Sequence, residues 1–110
     1  MARDSSFRCD LEKSTDKSGN SVTTIKCHGE LVMGTTDEIK DLVRPLIALG
    51  GSIVIDVGSV RYLDSAGLGA LVGLKASAIK QGQCHLELAN ITSGVQELLR
   101  MTHLTQMFVP

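Results

Sequence analysis

The chain opens with an alternation: Phe7, Cys9 and Leu11 are interleaved with Arg8, Asp10 and Glu12. A period of two predicts a strand with one wetted face. Residues 14–21 (STDKSGNS) are polar and contain Gly19-Asn20, which predicts a loop or hairpin tip. The β-branched run Val22, Thr23, Thr24 and Ile25 then predicts a second strand, ended by Gly29. Next the period changes. Ile39, Leu42, Val43, Leu46 and Ile47 recur as one apolar helical stripe. Thr35 and Glu38 have the spacing of a capping box at its start, and Gly50-Gly51 stops it. Pro45 lies inside the stripe and predicts a kink or a break near Arg44.

Residues 52–57 (SIVIDV) form a short apolar run between glycines, the pattern of a strand buried on both faces. Residues 58–63 read as a connection. A second helix runs from the Asp64-Ser65 step to about Lys80, with Leu68, Leu71, Val72, Lys75 and Ile79 on one face. Ala66, Ala70 and Gly73 form a face of small residues on the same helix. Residues 84–89 predict another strand. Ser93 and Gln96 predict a capping box for a third helix with Val95, Leu98 and Leu99 inward. Residues 107–109 suggest a last short strand. The order β-β-α-β-α-β-α, with or without that final strand, predicts an α/β fold. Its sheet would be mostly parallel or mixed, with four to five strands, helices packed against it and right-handed crossovers. One domain over residues 1–110 accounts for the whole pattern.

Composition narrows the function. Lys and Arg number 11 against 12 Asp and Glu, a net charge of −1. A nucleic-acid binder needs a basic excess, so direct contact with nucleic acid is not expected. The only aromatics are Phe7, Tyr62 and Phe108, too few for base stacking. No apolar run approaches the roughly 20 residues that span a bilayer, and the charged start MARDSSFRCD does not read as an export signal. A cytoplasmic protein away from the membrane is expected. Cys9, Cys27 and Cys84 are odd in number and widely spaced, which does not read as a disulfide framework. Cys27-His28 and Cys84-His85 are neighbours on strands, so each pair points to opposite faces and cannot grip one ion. Cys27 and Cys84 are read as core residues, and neither a metal nor another cofactor is expected. Met33, Met101 and Met107 are open to two readings, interface or core filler.

The chemistry concentrates in residues 53–72 (IVIDVGSVRYLDSAGLGALV). Asp64 and Ser65 stand at the start of a helix, where either can serve as an N-cap. Gly67 and Gly69 in the first turns cost roughly 1 kcal/mol each against alanine, so something must offset them. They clear space for close packing, or for another surface to approach the backbone. A phosphate on Ser65 would meet unpaired N–H groups and the positive end of the helix dipole, a gain of about 0.3–1 kcal/mol. Asp64 would repel it. Residue chemistry alone leaves both a plain cap and a charge switch standing.

This segment resembles the signature of STAS domains, in particular the bacterial anti-sigma factor antagonists. The matching residues are Ile55-Asp56-Val57, Val60, Tyr62-Leu63 and Asp64-Ser65-Ala66-Gly67-Leu68-Gly69, together with Gly29-Glu30-Leu31 before the first helix. The resemblance implies that Ser65 is phosphorylated by a partner that is both an anti-sigma factor and a serine kinase of the histidine-kinase-like ATPase type. The unphosphorylated domain binds that partner and frees the sigma factor. Phosphorylation releases it, and a PP2C-type phosphatase resets the switch. Asp64, Ala66, Gly67, Leu68, Gly69 and Glu30 would form the contact region. Ala66 leaves one hydroxyl in the motif. Val32 stands where the family often carries Asp, removing an acidic contact from the facing loop.

Other readings compete with this one. A STAS module in a transporter or signalling complex would bind a partner without being switched. A receiver-like phosphoacceptor at Asp56 would need an early acidic pair and a late strand-end Lys, and neither is in place. An enzyme would need paired carboxylates, a metal-ligand cluster or a nucleophile–base set, and none is visible; His103 reads as a helix-end residue.

Overall fold

The computed structural model describes residues 7–108. Strand β1 (Phe7–Thr15) turns back on β2 (Ser21–Leu31) in antiparallel register, with Cys9 opposite Cys27. Asp16 makes the hairpin: its carboxylate accepts hydrogen bonds from the backbone N–H groups of Ser18 and Asn20, both at 2.9 Å. Helix α1 (Thr36–Leu49) carries the chain to β3 (Gly51–Leu63), and helix α2 (Ser65–Gln81) carries it to β4 (Cys84–Ala89). β2, β3 and β4 are parallel, and the sheet order is β1-β2-β3-β4. Helices α3 (Ser93–Met101) and α4 (Thr105–Phe108) follow. The expected mixed α/β sheet is therefore present with four strands among the described residues.

The two parallel crossovers, β2-α1-β3 and β3-α2-β4, step across the sheet in the same direction, and α1 and α2 pack against each other. Between them and the sheet lies an aliphatic core that includes Ile25, Leu31, Ile39, Ile53, Ile55 and Leu71. The opposite face of β1 and β2 is polar, with Arg8, Asp10 and Lys26 exposed.

Several expectations need correction. Gly29 does not end β2. The strand bulges there, with Gly29 at φ 106°, and continues to Leu31. Residues 58–63 are not a connection but the second half of β3, which pairs with β2 after β4 has ended. No capping box forms at α1. The Thr35 hydroxyl donates instead to the Glu30 carbonyl at 2.7 Å and accepts from Val32 N–H. The α3 cap is Thr92, whose hydroxyl accepts from Val95 N–H, and Ser93 is already inside the helix. Residues 107 and 108 are helical rather than extended, and Val109 lies outside the described residues. On α2 the buried positions are Gly67, Leu68, Ala70, Leu71, Leu74 and Ala78, while Ile79 faces solvent. Cys84 is only partly buried against the core, and so is Met107.

Pro45 does not break α1. An internal proline costs roughly 3 kcal/mol. Ile39, Val43 and Ile47, which bracket it, are all buried, each worth about 1.5–3 kcal/mol. Packing therefore outweighs the missing backbone hydrogen bond. Because Pro45 itself is exposed, Pro45→Ala is expected to stabilise the fold by about 1–3 kcal/mol. A thermal midpoint that fails to rise would refute this account of the helix.

Candidate functional site

The site is built where β3 hands over to α2. Its extension past β4 lifts Leu63, Asp64 and Ser65 to one end of the sheet, beside the end of β2. Asp64 is the N-cap of α2. Its backbone is extended, and its Oδ1 accepts from Gly67 N–H at 2.8 Å. Its Oδ2 accepts from Met33 N–H at 3.1 Å. One carboxylate thus closes the first turn of α2 and pins the loop between β2 and α1. Asp64 N–H is directed at the Leu31 carbonyl at 3.4 Å, a third tie to the same strand end.

Asparagine at position 64 would offer one acceptor oxygen and one donor group to two N–H groups. Asp64→Asn is therefore expected to keep the cap and release Met33, lowering stability by about 1 kcal/mol. Hydrogen exchange at the Met33 amide reads this directly. Equal rates in the two proteins would refute the bridge.

Ser65 is the first residue of α2 and is exposed. It stands at the positive end of a 17-residue helix, and the Asp64 side chain occupies Gly67 N–H rather than the two before it. A phosphoryl group on the Ser65 oxygen would have room and partly compensated charge. Ala66 is half-buried and Gly69 exposed with open space around it. Glu30 is half-buried and pairs in register with Tyr62.

Gly67 and Leu68 differ from the rest of the motif. Both are buried, and Leu68 belongs to the core. A Cβ on Gly67 would lie 2.1 Å from the Leu31 carbonyl oxygen. What approaches this glycine is the protein's own β2, so its place is in packing the helix start against the sheet. Gly69 alone of the two leaves its surface open.

Met33 and Tyr62 join the rim on structural grounds. These residues are 77% and 58% exposed, large for apolar and aromatic residues on a small protein. Met33 is held beside Asp64 by its backbone, and Tyr62 stands two residues before that aspartate. A groove of about 250 Å³ runs from Tyr62 and Leu63 to Val95 and Leu98 on α3. The sequence marks Tyr62 only as part of the motif and as one of three aromatics. Nothing local could link Met33 to Asp64, 31 residues away.

Asp56 accepts from Gly58 N–H and from the Asn90 side-chain amide, a structural pairing. His28 bonds Asp10 at 3.0 Å on the polar face, while Cys27 points into the core. Among the described residues, no three His, Cys, Asp or Glu side chains gather as a metal site. No helix among them is long and apolar enough to cross a membrane.

This architecture has known counterparts. The family model of the STAS domain matches residues 10–110. An anti-sigma-B factor antagonist of Staphylococcus aureus (strain NCTC 8325) is 29% identical over 84 residues, 76% of this chain and 77% of that protein. The crystal structure of an anti-sigma factor antagonist from Mycobacterium paratuberculosis superposes with a TM-score of 0.76 at 22% identity, covering 99% of this chain and 88% of that one. The Bacillus cell fate determinant SpoIIAA in its phosphorylated form gives a TM-score of 0.69 at 18% identity, covering 93% and 89%. The two structures share the fold, and the family model covers β2, β3, β4, most of β1 and the site at the end of the sheet. The chain belongs to the STAS-domain family.

Proposed function

We propose that this protein is an anti-sigma factor antagonist acting by partner switching. In its unphosphorylated form it binds an anti-sigma factor that is also a serine kinase of the histidine-kinase-like ATPase type. Phosphorylation of Ser65 releases that partner, and a PP2C-type phosphatase restores the binding form. The protein works in the cytoplasm by binding rather than by catalysis. The observation that carries this reading is the exposed Ser65 at the first position of α2, beside a capping Asp64. Glu30, Asp64, Ala66 and Gly69 would present the contact surface, with Met33 and Tyr62 adding apolar area. Gly67 and Leu68 would support it from beneath. The similarity to the S. aureus antagonist supports the same role.

Incubation with the cognate kinase and ATP tests the acceptor. One phosphate is expected on the wild type by intact mass, and none on Ser65→Ala. A phosphate that persists in Ser65→Ala would overturn the assignment.

A further inference from the structure

Cys9 and Cys27 are direct partners across the antiparallel β1–β2 ladder. Their sulfurs lie 3.7 Å apart. Residues facing each other in such a ladder have Cα atoms about 4.5–5.5 Å apart, inside the range a disulfide accepts. Closing the bond requires the sulfurs to approach by roughly 1.7 Å, within reach of a side-chain rotation. The two cysteines differ in access. Cys27 is 1% exposed, whereas Cys9 is partly open to solvent. Cys84 stands on β4, with β3 between it and β2, and cannot compete for either sulfur.

We propose that Cys9 and Cys27 are a reversible dithiol–disulfide pair, a modification site for small hydroperoxides. The odd number and wide spacing of the cysteines argue against a permanent framework, but not against a pair that the sheet brings together. Cys9 is the attacking group. Hydrogen bonding from Cys27 holds its thiol below the usual range, against the opposing effects of burial, Glu38 and Asp10. The same bond, and then burial, push the Cys27 thiol up, so it remains protonated. The Cys9 thiolate attacks one oxygen of the hydroperoxide, the O–O bond breaks, and the other oxygen leaves as the alcohol or as water. The sulfenic acid on Cys9 is then attacked by the Cys27 sulfur. Its hydroxyl leaves as water with the Cys27 proton. Two thiols are oxidised by two electrons and one peroxide is reduced. A dithiol reductant reverses the bond by exchange.

The test treats the folded full chain with hydrogen peroxide, alkylates remaining thiols and digests without reduction. Trypsin cuts after Arg8, Lys13, Lys26 and Lys40, so the expected product joins peptides 9–13 and 27–40. The intact protein should lose the mass of two hydrogen atoms, keep one alkylatable thiol at Cys84 and regain all three with dithiothreitol. Cys27→Ala should halt at a dimedone-reactive sulfenic acid on Cys9. The link should form at least about tenfold faster in the folded chain than in urea, because the fold sets the encounter. Three alkylated thiols after peroxide, a link through Cys84, or equal rates folded and unfolded would each overturn the proposal.

Discussion

Gly67→Ala is expected to be among the most damaging single substitutions in this protein, and Gly69→Ala, two residues on, a stabilising one. A Cβ on Gly67 would lie 2.1 Å from the Leu31 carbonyl oxygen, 2.9 Å from its carbon and 2.8 Å from Leu63 Cδ1. Two of these three atoms are backbone. They belong to a residue that is 0% exposed and that receives Asp64 N–H, so they cannot move without shifting β2. The alternative is to shift the start of α2 and lose its cap. Overpacking of a soft core site costs about 1–3 kcal/mol, and a rigid backbone obstacle should place this variant at about 3 kcal/mol or beyond. Gly69 has nothing within 4 Å of its would-be Cβ and lies in the helix. Alanine there removes the backbone-entropy cost of glycine, a gain of about 0.5–1 kcal/mol. Urea unfolding of the two variants measures both effects as opposite displacements of the midpoint at unchanged slope. Midpoints that move together would refute the packing role of Gly67. The stable Gly69→Ala variant also separates fold from function. If a partner approaches the open backbone at Gly69, this protein should unfold later and bind more weakly.

The pair of glycines also marks how far the sequence could be read. The first helix was legible because its apolar residues occupy one stripe, of which Ile39, Val43 and Ile47 are buried and Leu42 and Leu46 partly so. The second was legible as a helix but not in its orientation. Apolar and small residues lie nearly all round it, so the pattern put Ile79 on the apolar face and passed over Leu74, and only the sheet decides that Leu74 goes inward. Residues 58–63 read as a connection because Gly58, Ser59 and Arg61 interrupt the apolar run. They remain a strand because β2 is long enough to pair with them after β4 ends. Thr35 had the right spacing for a cap, yet its hydroxyl bonds the Glu30 carbonyl, next to the β2 bulge, a partner that spacing does not reveal. At the site, one short motif placed Asp64 and Ser65 at a helix start with either as the cap; the fold gives the cap to Asp64 and leaves Ser65 exposed. The task of Gly67 was not legible there. Its obstacle is a carbonyl on another strand, and that strand is placed by register between Leu31 and Leu63.

Ser65→Asp is expected to leave the fold intact and to weaken kinase binding at least about tenfold, or ~1.4 kcal/mol. The two halves of this expectation have different causes. Locally, an added negative charge meets the positive end of α2, a gain of about 0.3–1 kcal/mol that offsets repulsion from Asp64. The Asp64 carboxylate is already held by Gly67 and Met33 N–H groups, so it need not swing away. The thermal midpoint should therefore stay close to the wild type. At the surface nothing offsets the change. The proposed contact region would combine the exposed Met33 and Tyr62 with the serine hydroxyl. A partner shaped to that surface would have to desolvate a charge without a paired cation, a cost of several kcal/mol when complete and less at a partly wet rim. Phosphoserine carries about −1.5 to −2 against the −1 of aspartate, so the phosphorylated wild type should bind more weakly still. Ser65→Ala, which adds no charge, should bind like the wild type. Titration calorimetry of the four forms against the kinase, repeated at high salt, separates charge from shape. A charge-gated contact narrows its differences as salt rises. Equal affinity for the phosphorylated and unphosphorylated proteins would refute the switch, whatever the fate of the acceptor assignment.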